Sequence, residues 1–251
     1  MSLPGDPQIA AWLVVLLLTY CRIQACLLAM PGFSMRGLPV RLRVALAMSL
    51  TPLLAEFSRP QPVPATLIVL MLLAGAEVLT GLVLGGFVRL LAMALDIAAA
   101  AIAATTSLSQ LVGGANEFAP HPIGNLLHLA GLALLMAMGM PLVLCEMLRE
   151  SFLLRPIGTW PEVNQLLPAA LLLVQRGFVL ALLLAAPFIL GGYLFQILSG
   201  MVSKVMPALP VMFIAAPAAI LLALLGLVLL TPSILAGWAG AVLDVMSMDL
   251  P

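Results

Sequence analysis

Residues 211–243 contain no Asp, Glu, Lys or Arg. A membrane-spanning helix needs about 20 consecutive, mainly apolar residues, so this run is long enough to cross a bilayer by itself. Residues 9–30, 65–111, 125–147 and 169–199 are likewise long and mainly apolar, though each carries one or more charges. The chain as a whole is 64% hydrophobic and only 8% charged, whereas a soluble domain carries roughly a quarter charged residues. With a mean hydropathy of +1.23, it reads as an all-α, multi-helix integral membrane protein. Ten basic residues balance ten acidic ones, so no basic field points to nucleic acid.

Punctuation divides the runs. The segment before residue 9 carries Asp6 and no Lys or Arg, unlike the basic start of a cleavable signal, so 9–30 reads as a retained helix. Pro31-Gly32 ends it. The loop 31–43 holds Arg36, Arg41 and Arg43 without an acid, which the positive-inside rule assigns to the cytoplasmic side. Residues 44–55 are too short for a comfortable span and read as a re-entrant or packed helix. Residues 58–64 hold three prolines and read as a linker. The stretch 65–111 exceeds one simple span, which predicts a long or broken helix or a hairpin. Residues 125–147 form the next helix, with a kink expected at Pro141. Pro187 lies inside 169–199, and 211–243 holds one tilted helix or two halves broken near Thr231-Pro232. This gives five to seven membrane-length helices in a single all-helical domain covering 1–251.

Arg22, Glu77, Arg89, Asp96 and Arg176 lie inside otherwise apolar stretches. A charge at the bilayer centre costs roughly 2.5–3.5 kcal/mol on insertion scales, so each needs a protein partner or water. Arg89 and Asp96 are seven residues apart, sharing a helix face about 10 Å apart along the axis. A proton relay is one reading; pairing that fixes helix or subunit assembly is favoured, because the acids cluster on one helix. Gly81-x-x-x-Gly85-Gly86 lets a neighbouring backbone approach closely. Cys21, Cys26 and Cys145 lack zinc or redox spacing and read as small buried hydrophobes. His121 and His128 have no further ligands spaced nearby for a metal. No nucleophile elbow, Walker loop or dinucleotide fingerprint occurs, so neither an enzyme nor a cofactor is expected.

In order, the chain shows Arg22 in an apolar helix, Pro31-Gly32-Phe33, and Arg36-Gly37-Leu38-Pro39-Val40-Arg41-Leu42-Arg43. Glu77-Val78-Leu79-x-Gly81-Leu82-x-Leu84-Gly85 follows, then Thr106-Ser107-Leu108-Ser109, then Ser151-Phe152-x-x-x-Pro156-Ile157-Gly158. Val202-Ser203-Lys204-x-x-Pro207-x-Leu209-Pro210-Val211 stands near the end. This ordered set resembles the FliR family of flagellar export-gate proteins, whose injectisome relatives share the pattern. It departs from the family in the Ala-rich stretch 98–104, in Gly139-Met140 where a Gly-His pair is common, and in Pro210 where an Asn is common.

The resemblance implies a non-enzymatic subunit of the bacterial type III export apparatus, in the inner membrane and the flagellar basal body. Part of the assembly is expected on the periplasmic side. FliP-type, FliQ-type and FlhB-type subunits are the implied partners, with unfolded export substrates and membrane lipid. Helical hairpins would pack in a hetero-oligomeric helical assembly around a narrow conduit. The family closes that conduit partly with a loop whose counterpart here is 107–122, with Ser107, Gln110, Gly113, Gly114, Asn116, Glu117 and Phe118 as its candidate residues. Gly81, Gly85 and Gly86 are the candidates for helix packing, and Arg22, Glu77, Arg89, Asp96 and Arg176 for subunit pairing. The competing reading is a small proton- or ion-coupled transporter acting alone; an integral membrane enzyme ranks behind both.

Overall fold

A computed structural model describes residues 7–34, 38–58, 64, 66–105, 122–205 and 211–247. All regular structure in these residues is α-helical. The helices are α1 (Pro7–Ala29), α2 (Val40–Ala55), α3 (Leu67–Thr105), α4 (Pro122–Ala137), α5 (Met140–Leu154), α6 (Val163–Val205) and α7 (Val211–Met246). Gln8–Ala29, Leu67–Ile102, Val163–Val205 and Pro217–Met246 are each long and apolar enough to cross a membrane, and α4 with α5 makes a fifth candidate if that bent pair is one span.

Two alternatives left open by the sequence are settled, and one expectation is corrected. Residues 67–105 form one continuous helix of 39 residues, because no Pro interrupts them. The break between α4 and α5 falls at Gly139 and not as a kink at Pro141. Gly139 adopts φ 90°, ψ 21°, the left-handed conformation that ends helices and that glycine reaches without Cβ strain. Pro141 then sits in the first turn of α5, where its missing N–H costs nothing, and the two axes diverge by 68°. Finally, Thr231-Pro232 does not split α7, which contains both Pro217 and Pro232. The Thr231 hydroxyl bonds the Leu227 carbonyl at 2.6 Å, using backbone acceptor capacity within the same helical turn.

The helices gather into two units. The first comprises Met1–Leu91, Gly139–Val174 and Val242–Pro251. Here α1 packs on α2, and α2 touches α5. Leu18, Ile23 and Leu27 of α1 and Met30 just after it are fully buried, as are Leu148 of α5 and Met246 of α7. The Arg149 guanidinium lies over the Phe57 ring, 5.0 Å from its centroid. The second unit comprises Ala92–Met138 and Gln175–Ala241. Its core is built around Trp238, only 2% exposed, with Leu95, Ile102, Leu127 and Leu135. A Cβ on Gly131 would lie 2.8 Å from the Trp238 ring and 2.6 Å from Leu95, so α4 needs glycine there to admit the indole. The indole N–H donates to the Ala92 carbonyl at 3.2 Å.

Candidate functional site: a buried charge node

Glu77, Gly81 and Gly85 recur every four residues and so share one face of α3. That face lies on α1. A Cβ on Gly81 would collide with the Arg22 carbonyl, and would stand 2.9 Å from the Ala25 Cβ and 3.0 Å from the Cys26 nitrogen. One turn further along, a Cβ on Gly85 would stand 2.5 Å from the Cys26 carbonyl and 2.8 Å from the Ala29 Cβ. Both residue numbers climb together, so α1 and α3 run in the same direction with their backbones in contact. Gly86 differs: among the described residues a Cβ there would meet nothing within 4 Å, and their packing does not call for glycine at that position.

The close approach brings Arg22 to Glu77. The Arg22 Nε donates to Glu77 Oε2 at 2.6 Å, and both side chains are fully buried. Other donors of the guanidinium reach backbone. Nη1 donates to the Ser151 carbonyl at 2.9 Å and to the Arg155 carbonyl at 3.1 Å, and Nη2 donates to the Arg155 carbonyl at 3.2 Å. The Ser151 hydroxyl lies 3.4 Å from Nη1 and donates to the Leu148 carbonyl at 2.7 Å. The face of the guanidinium stacks on Phe152, 4.3 Å from the ring centroid, a cation–π contact that is strongest when desolvated.

The other carboxylate oxygen is held by a turn. The Thr159 N–H bonds the Pro156 carbonyl at 3.3 Å, and Gly158 has φ 88°. The bond from the fourth residue to the first, with a positive-φ glycine third, is the mark of a type II turn. Its third residue presents the Gly158 N–H to Glu77 Oε1 at 2.7 Å. A Cβ on Gly158 would lie 2.7 Å from Leu73 Cδ2, so space and backbone both demand glycine.

Thus Ser151, Phe152, Arg155 and the turn Pro156–Thr159 all converge on the Arg22–Glu77 pair. Isolated buried charges cost several kcal/mol each even after relaxation; here each has a counter-charge and further hydrogen bonds. Chemically the node is a joint: it ties α1, α3, α5 and the following turn together.

Of the two pairings the sequence left open for Arg22 and Glu77, between helices or between subunits, this geometry shows the first: both are enclosed within one chain and bond each other. Asp96 takes His128 as partner, with His128 Nδ1 2.7 Å from Asp96 Oδ1 and both side chains partly exposed; sequence reasoning missed this role for His128, which its seven-residue offset from His121 masked. Arg89 is exposed and makes no hydrogen bond, ion pair or ring contact among the described residues. Arg176 is also exposed in the chain. The candidate closing residues Ser107, Gln110, Gly113, Gly114, Asn116, Glu117 and Phe118 lie outside the described residues. Among the described residues, no cluster of three or more His, Cys, Asp or Glu is placed to hold a metal.

Residues 13–245 match the family model described as bacterial export proteins, family 1. The chain is 30% identical over 211 residues to the flagellar biosynthetic protein FliR of Caulobacter vibrioides, covering 82% of this chain and 84% of that protein. It is 28% identical over 228 residues to the flagellar biosynthetic protein FliR of Aquifex aeolicus, covering 89% and 87%. With nearly its whole length matched, the chain belongs to the FliR family of bacterial export proteins.

Proposed function

We propose that this chain is a non-enzymatic subunit of the flagellar type III export gate in the bacterial inner membrane. It forms part of the conduit for unfolded substrates, beside FliP-type, FliQ-type and FlhB-type subunits, and part of the assembly lies on the periplasmic side. The observation that carries the reading is the family match over 13–245, in a chain whose long helices remain largely uncovered. In their most apolar windows, α6 is 22% buried and the α7 segment 17%. Apolar helices so bare need lipid or sibling helices around them.

Residues 107–122 contribute to closing the conduit in this reading. Gly113-Gly114 supplies conformational freedom, Phe118 apolar bulk, and Asn116 and Glu117 tolerate water. Deleting 113–118 then raises ion conductance through the assembled gate in planar bilayers, and an unchanged conductance rejects the closing role.

The deciding experiment for the whole reading is recovery of the tagged full chain from native membranes with mass spectrometry of what accompanies it. FliP- and FliQ-type subunits are expected. A lone monomer that moves a small ion or solute in reconstituted vesicles overturns the reading in favour of a transporter.

A further inference from the structure

The exposed residues of α3 beyond its first two turns lie on one face. Leu82, Arg89, Met93, Asp96 and Ala100 are exposed and Gly86 is half-buried. Their spacing alternates four and three residues, so at 100° per residue all fall within about 60° of Met93. This is the 3–4 spacing with which one helix lies along another. A flanking stripe is already occupied: Glu77, Gly81 and Gly85, about 80–160° round the helix from Met93, lie against α1.

Three properties of the outward face identify what covers it. It carries Arg89 and Asp96, each of which is unfavourable against lipid by roughly 2.5–3.5 kcal/mol on insertion scales. Arg89 has no partner among the described residues. Asp96 engages His128 through Oδ1 while its side chain remains 50% exposed, so it is braced and still presents negative charge outward. Finally, Gly86 has open space where a Cβ would stand, which leaves a notch in the seam one turn before Arg89. Lipid tails gain nothing from such a notch, but an approaching helix backbone does.

We propose that this α3 face is a docking seam for an apolar helix of a different subunit. That helix carries an acid opposite Arg89 and a basic or hydrogen-bond-donating side chain opposite Asp96, about 10 Å further along. The inference rests on the export-gate reading, for which it names a contact surface. A second copy of this chain matches the charges only when antiparallel, which requires two opposite insertions of one sequence.

The test places a photo-crosslinking amino acid at position 93 of the full chain in native membranes, with co-purifying subunits identified in parallel. The expected product is an adduct with another subunit. Its yield falls about tenfold or more in Arg89→Glu and in Asp96→Lys, the scale for breaking a desolvated interfacial charge pair. Arg89→Leu separates the environments: against a partner acid it also lowers the yield, whereas against lipid it does no harm. Unchanged recovery of each variant in the membrane fraction, with unchanged helicity, confirms that folding is intact. An adduct with phospholipid, with a second copy, or with nothing, while FliP- and FliQ-type subunits still co-purify, overturns the seam and leaves the export-gate reading standing. Absence of co-purifying subunits overturns that reading instead.

Discussion

Glu77→Gln is the sharpest perturbation of the buried node, because it changes charge and donor pattern with almost no change in shape. The carboxylate accepts two hydrogen bonds, one from Arg22 Nε at 2.6 Å and one from the Gly158 N–H at 2.7 Å. An amide has one oxygen. Whichever way it flips, its NH2 faces a donor, either the guanidinium or the turn. Losing the charge-assisted bond removes about 1.5–3 kcal/mol and stranding a buried donor costs a further 1–3 kcal/mol, so a destabilisation of about 3–5 kcal/mol follows, the usual scale for unpairing a buried charge. Arg22→Leu falls in the same range, since it strands Glu77 and removes the donor from the Ser151 and Arg155 carbonyls. Arg22→Leu with Glu77→Leu is destabilised by about 2–3 kcal/mol less than the sum of the singles, because no lone charge remains. Full chain in mild detergent, titrated with SDS and followed by far-UV circular dichroism, reads these shifts. Single-variant losses below about 1 kcal/mol, or strict additivity in the double variant, would refute the view that the two residues form one enclosed unit.

The glycines make a graded series. Gly81→Ala and Gly85→Ala push a methyl into the α1 backbone and each cost about 2 kcal/mol or more by overpacking, whereas Gly86→Ala leaves the chain's own stability unchanged or raises it by about 0.5–1 kcal/mol; the same SDS titration ranks them. Gly158→Ala combines a positive φ with a 2.7 Å approach to Leu73 and costs more than Gly139→Ala, which has the positive φ but open space and loses only about 1–2 kcal/mol; equal losses would show that crowding at the turn is unimportant. Trp238→Phe forfeits the indole bond to Ala92 and costs about 1 kcal/mol, visible as a lowered unfolding midpoint, while Trp238→Ala costs about 3–5 kcal/mol. His128→Ala removes a partly exposed bond to Asp96 and costs at most about 1 kcal/mol; a larger shift in the midpoint contradicts that exposure.

How much of this was legible without coordinates depended on whether the signal was local. The apolar runs gave α1, α3, α6 and α7 because length and hydropathy are read within one segment. Gly81 and Gly85 were legible as a close-packing pair because their spacing lies on one helix. The break at Gly139 was misplaced to Pro141, since a proline is a strong helix breaker in mid-helix but a favoured residue in a first turn, and only the left-handed glycine before it decides between the two. Partners were not legible at all. Arg22 and Glu77 are 55 positions apart, and Arg22 reaches Ser151 across 129; nothing in spacing couples such residues. Ser151, Phe152, Pro156 and Gly158 stood in the sequence as a motif, yet their common purpose, receiving a guanidinium and holding a carboxylate, appears only once the three segments meet.

Four of the five ionisable residues that the sequence grouped together therefore divide by what surrounds them. Arg22 and Glu77 are inward: a buried ion pair adds little net stability over a well-packed apolar pair, but it penalises every arrangement in which one member is left alone. In a chain so uniformly oily, where many helix registers bury similar apolar area, that penalty helps select one register of α1 on α3, and the two glycines let the backbones close around it. Arg89 and Asp96 are outward, and the same physics applies with a different remedy. Arg89 has no partner among the described residues, and Asp96 keeps half of its side chain exposed beyond its bond to His128, so in the proposed seam their further polar neighbours come from outside the chain. This division predicts opposite responses to charge removal. Arg22→Leu impairs the chain by itself, in detergent, with no other subunit present. Arg89→Leu leaves the isolated chain's SDS midpoint within about 0.5 kcal/mol, as for an ordinary surface substitution, and weakens only the assembled complex. Loss of stability in the isolated Arg89→Leu chain, or an intact isolated Arg22→Leu chain, would mean that the two groups of charges had been assigned the wrong way round.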